Sequence, residues 1–105
     1  MGMTITEKIL AAHADKDYVE PGEIVDCRID LAMANDITAP LSLEEFEKVG
    51  AKKVFDPNKV VFVLDHFTPN KDILSAENCK RIREFSIKYG IVNFFEGGQC
   101  GIEHA

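Results

Sequence analysis

At 105 residues and 11.7 kDa the chain has the length of one domain with one modest core. Its composition, 46% hydrophobic and 29% charged, is that of a soluble globular protein rather than a disordered one. Twelve Lys+Arg against eighteen Asp+Glu give a net charge of −6, which excludes the clustered basic surface that nucleic acid or an anionic membrane requires. The longest apolar run, Val60–Leu64, is far too short to span a bilayer, and no basic stretch followed by an apolar one opens the chain. The expected setting is cytoplasmic. Cys27, Cys79 and Cys100 agree with this: an odd number of widely spaced thiols forms neither a disulfide framework nor a C-x-x-C zinc pair.

The first predicted element is a helix opened by the T-x-x-E capping box Thr4/Glu7, with Ile5 and Ile9 on one face. Pro21-Gly22 marks a turn, and the alternation over Ile24–Leu31 predicts a half-buried strand. An irregular stretch, Ala32 to Pro40, follows. Ser42 and Glu45 form a second S-x-x-E box, which predicts a helix beginning at Ser42 and stopped by Gly50. Val60–Leu64 reads as a strand covered on both faces. A long helix follows, started by Thr68-Pro69 or by Asp72, with Leu74, Ile82, Phe85 and Tyr89 inside and Gly90 at its end. Ile91–Phe95 is a further strand. Strand, crossover helix and strand make a parallel βαβ unit, so the fold class is α/β with flanking helices.

Asp65-His66 ends the most buried strand, where ligand sites of parallel sheets gather. A carboxylate beside an imidazole can hold a proton near neutrality and deliver it as a general acid, or activate a bound water. His104, beyond the glycine-rich stretch Gly97–Gly101, is a second candidate whose convergence with His66 adjacent sequence does not reveal. His13, at a helix end, is accounted for by contact with the last carbonyls. Asp36 and Thr38 either cap the next helix or line a pocket. Gly97-Gly98-x-x-Gly101 is not a dinucleotide fingerprint, and no Walker A, G-x-S-x-G or H-E-x-x-H motif is present.

Four segments together resemble one family. These are Gly2–Ala11, Asn35-Asp36-Ile37-Thr38-Ala39-Pro40, Asp65-His66-Phe67-Thr68-Pro69-Asn70-Lys71-Asp72, and Gly101-Ile102-Glu103-His104-Ala105. In this order they are similar to the opening of the large subunit of 3-isopropylmalate dehydratases, in the aconitase superfamily. The resemblance implies a 4Fe-4S hydro-lyase of leucine biosynthesis that interconverts 2- and 3-isopropylmalate through the dehydrated alkene. It also implies an aconitase-like three-layer α/β/α iron-sulfur domain, a small swivelling subunit as partner and a small dicarboxylate substrate. Asp65 and His66 match the pair that assists proton transfer to the departing hydroxyl, and His104 matches a histidine of the same pocket. Pro40 stands where aconitases have a substrate-contacting glutamine, which leaves Thr38 as the substrate-binding candidate on that side. The family's cluster cysteines lie downstream and match none of the three present, so no metal ligand is assigned. Residues 1–105 are therefore expected to be an incomplete N-terminal segment of the catalytic domain, inactive alone. A homoaconitase, another superfamily hydratase, or a non-catalytic α/β binding module are the alternatives.

Overall fold

The computed structural model describes residues 2–105, in two compact units divided after Asp30. In the first, α1 (Ile5–His13) begins as its capping box requires. The Glu7 N–H donates to Thr4 Oγ1 at 3.2 Å, and Glu7 Oε2 accepts the Thr4 N–H at 2.6 Å. At its far end His13 Nδ1 lies 2.8 Å from the Ile9 carbonyl and Nε2 2.6 Å from Asp30 Oδ2. These contacts hold the His13 imidazole above its ordinary pKa, the Asp30 hydrogen bond contributing most.

The strand expected over Ile24–Leu31 is absent; the segment is an extended connection without a ladder. Alternation specifies faces, and a strand forms only when one face is buried and a neighbour takes the backbone bonds. Here Ile24 is 96% exposed and Ile29 62% exposed. The segment is tied to α1 instead: the Arg28 N–H donates to the His13 carbonyl at 2.9 Å, and the Arg28 guanidinium pairs with Asp15.

The second unit, Leu31–Ala105, carries the sheet. Its elements are β1 (Ala32–Asn35), α2 (Thr38–Lys48), a 3-10 turn (Pro57–Lys59), β2 (Val60–Val63), α3 (Ile73–Tyr89) and β3 (Asn93–Phe95). The strands are parallel in the order β1-β2-β3, with Ala34, Phe62 and Phe94 in register across the sheet. The predicted β2-α3-β3 crossover is present, and the fold is the expected α/β class. The new element is β1, four residues of what reads in sequence as an irregular stretch.

One core lies between the sheet and α2 and α3. Val60, Phe62 and Leu64 meet Ala39 and Leu43 of α2 and Cys79, Ile82 and Phe85 of α3. The rings of Phe46 and Phe85 stack edge-on at 5.3 Å, and Phe62 meets Phe85 at 6.1 Å, geometries that aromatic quadrupoles favour. Helix α3 starts at Asp72, whose carboxylate accepts the Ser75 N–H at 2.8 Å, and ends on Gly90 at φ 71°. Its inner face runs through Ser75, Cys79, Ile82, Phe85 and Ser86; Leu74, expected inside, is 67% exposed because a step from 74 to 82 leaves the 3.6-residue row. Helix α2 begins four residues before the predicted Ser42. Its first amides are met by Asn35, whose Oδ1 accepts the N–H groups of Ile37 at 2.9 Å and Thr38 at 3.0 Å. Ser42 lies inside the helix and donates its hydroxyl back to the Thr38 carbonyl at 3.1 Å. Among the described residues no helix is long and apolar enough to cross a membrane.

Candidate functional site

The carboxyl ends of the strands converge on one cluster: Asp36 after β1, Asp65 and His66 after β2, and Glu103 and His104 beyond β3. Asp36 is fully buried and grips the segment that follows β2. Its Oδ1 accepts the His66 N–H at 3.0 Å and its Oδ2 the Phe67 N–H at 2.6 Å. This fixes the backbone that carries His66. Asp65 performs the matching task toward the turn at Glu103, beyond β3. Its Oδ2 accepts the Glu103 N–H at 2.8 Å, across 38 residues of sequence, while its Oδ1 lies 2.6 Å from His66 Nδ1.

His66 and His104 thus meet, their ring centroids 5.5 Å apart and their planes at 75°. Convergence of the two histidines, open in the sequence, is a property of the fold. Thr38 stands at the first turn of α2; its hydroxyl accepts the Asn35 N–H and donates to Asn35 Oδ1, both at 3.2 Å. Sequence reasoning left Asp36 as a cap or pocket residue and assigned Glu103 nothing. No local spacing announces either role, because their partners lie 30 to 38 residues away.

The electrostatics favour a proton on His66. The Asp65 hydrogen bond raises its pKa above the ordinary 6.5, against partial desolvation, and the charges of Asp65, Asp36 and Glu103 add to the effect. Burial works to raise the Asp65 carboxyl. The Glu103 amide and the His66 ring outweigh it, and the carboxyl lies below its ordinary 3.8. An ionised Asp65 only accepts, so the ring nitrogen facing it, Nδ1, carries the hydrogen and Nε2 remains for exchange with a ligand.

Asp36, Asp65 and His66 place potential donor atoms within 4.8 Å of one another. All four carboxylate oxygens already accept protein hydrogens and Nδ1 faces Asp65, so the trio is engaged in holding the segment after β2. The cysteines form no cluster site. Cys79 is buried in the core and accepts from Asn70 Nδ2 at 3.4 Å, Cys27 contacts the Leu10 carbonyl at 3.6 Å in the first unit, and Cys100 is exposed. The donor set of this chain does not fit an iron-sulfur cluster. A cavity of about 500 Å³ opens beside Asp65, lined by Thr68, Gly97, Cys100 and Ile102 among others. A second, about 340 Å³ between Met33, Phe46 and Phe55, is apolar and offers one ionisable group, Lys53.

No protein-family model matches the chain. Curated proteins do. The large subunit of 3-isopropylmalate dehydratase from Endomicrobium trichonymphae is 60% identical over all 105 residues, which cover 25% of its length. That from Moorella thermoacetica is 61% identical over 99% of the chain and 25% of its own length. The large subunit 1 of Pyrococcus furiosus is 58% identical over 98% of the chain and 24% of its length. The chain therefore spans about a quarter of the length of the curated relatives it matches. Over its whole length it is similar to a part of the large subunits of 3-isopropylmalate dehydratases.

Proposed function

We propose that residues 1–105 form the N-terminal segment of the catalytic domain of a cytoplasmic hydro-lyase, the large subunit of a 3-isopropylmalate dehydratase working with a small swivelling subunit. The observation that carries this reading is the meeting of Asp65, His66 and His104 at the carboxyl ends of parallel strands, in a chain whose relatives bear that name. His66, protonated and oriented by Asp65, is the catalytic acid: it donates its Nε2 proton to the departing hydroxyl, which leaves as water while the proton of the adjacent C–H passes to a base outside this chain, and both protons return on rehydration. His104 is the second catalytic imidazole of the pocket. Thr38 contacts substrate on the α2 side, its hydroxyl exchanging Asn35 for a substrate carboxylate. The 4Fe-4S cluster that the resemblance implies takes its ligands from outside this chain, whose cysteines do not converge. With a net charge of −6, most of the positive charge that holds a dicarboxylate also comes from elsewhere.

The test is steady-state turnover by the large subunit containing this segment, loaded with cluster and mixed with its small subunit. Conversion of 2-isopropylmalate is expected, with His66→Gln lowering kcat by roughly 10²–10⁴-fold at little change in KM. Preference for homocitrate, or an unimpaired His66→Gln, overturns the reading. The 105-residue chain alone is expected to be inactive.

A further inference from the structure

Among the described residues β1 pairs with β2 on one side and with no strand on the other, so the sheet is open along it. Beside that edge lies the apolar cavity of about 340 Å³, lined by Met33 of β1, Phe46 of α2, Phe55 of the α2–β2 connection, and Phe62 and Phe85 of the core. Met33 is 54% and Phe55 59% exposed. Ala-Met-Ala has little strand preference of its own, parallel strands are as a rule buried, and three strands are fewer than most sheets contain. The other side of the sheet differs. Directly after β3, Glu96 pairs with Arg83 of α3, and charge at a sheet edge discourages a further strand. About three quarters of the length of each curated relative lies outside the region this chain matches, ample to supply a neighbour for β1.

We propose that β1 is an interior strand of the large subunit: an apolar strand from the part of that subunit outside residues 1–105 pairs along its open edge and seats side chains in the cavity between Met33, Phe46 and Phe55. The proposal rests on the reading of this chain as a segment of a large subunit. The sheet then grows in two directions from β1. Strands β2 and β3 are added in sequence on one side, with α2 and α3 packed on the same core, and the new strand is added on the other. An open α/β sheet that changes its direction of growth at one strand has its ligand crevice beyond that strand's carboxyl end. Asp36 stands there, directly after β1.

The experiment is amide hydrogen–deuterium exchange, read by peptide mass spectrometry. It compares the large subunit containing this segment, that subunit with its small subunit, and the 105-residue chain. An outer strand exchanges the amides of its free side, whereas an inner strand protects those of both sides. In the large subunit alone, residues 32–34 should exchange within about threefold of residues 60–63, and on the order of 100-fold more slowly than in the 105-residue chain. Phe55→Cys supplies a side-chain readout: its alkylation should slow by a similar factor in the large subunit. Fast exchange at residues 32–34 of the large subunit overturns the proposal. So does protection that appears only when the small subunit is added, or that the 105-residue chain gains by pairing with a second copy, as size-exclusion chromatography would show. Should the 105-residue chain not fold, the comparison of β1 with β2 inside the large subunit still decides. No readout uses isopropylmalate, so failure here is separable from failure of the proposed activity.

Discussion

Asp36→Ala removes the only acceptors seen for two amides, those of His66 and Phe67, at 3.0 and 2.6 Å from a side chain with no solvent exposure. Each buried N–H left unmet costs roughly 1–3 kcal/mol, and the cavity admits some relaxation, so a loss of about 2–4 kcal/mol is expected. With a urea dependence of roughly 1–3 kcal/mol/M for a small domain, the unfolding midpoint should fall by about 1–2 M. Asp36→Asn keeps one acceptor but sets its NH₂ against the other amide, and should recover less than half of that loss. Far-UV circular dichroism in urea measures both variants, and the His66 resonance reports whether the segment after β2 has moved. A midpoint within a few tenths of a molar of the parent, or an Asn variant indistinguishable from it, would refute the two-amide grip.

Gly97→Ala should destabilise by about 1–3 kcal/mol, because the added Cβ would sit 2.5 Å from the β-branched Thr68 methyl; thermal unfolding checks this. Ile82→Ala should cost about 2–5 kcal/mol while Leu74→Ala stays within about half a kcal/mol, since Ile82 is fully buried and Leu74 faces water. The Asp65–His66 pair should stabilise the fold most between pH 3.8 and 6.5. Its His66 share declines as pH rises through the raised folded pKa above 6.5, and its Asp65 share as pH falls below 3.8 toward the lowered one. A urea series across pH, compared with Asp65→Asn, shows whether that window is specific to the pair. Exposed Phe55, Leu74, Val92 and Ile102 should make the isolated chain bind an apolar dye, and a sharp thermal transition without binding would count against that.

Elements carrying their own signals were legible in the sequence. Five apolar β-prone residues announce β2, Thr4/Glu7 announces α1, and Asp72 and Gly90 bracket α3. Strand β1 was not, because Ala-Met-Ala-Asn has little β preference and becomes a strand by pairing with Val60–Val63. Ile24–Leu31 failed in the opposite sense, having the pattern without a neighbour. The Ser42 box lost to Asn35, since a side chain just before the helix meets amides that one four residues inside cannot reach. At the site, the residue types of Asp65, His66 and His104 were readable. What draws them together was not: the Asp36 and Asp65 carboxylates act through backbone amides, which every residue possesses and no motif marks.

The Asp36 grip makes the site answerable to the pairing of β1 with β2. A slip of one residue along these strands moves Asp36 by about 3.3 Å relative to the His66 amide, longer than the bond itself, and turns its side chain to the other face. A misregistered sheet could still hide much of its apolar surface, but the imidazole would then sit on an untethered loop. The placement of His66 is thereby a readout of strand alignment, and a chain folded one residue out of step loses it.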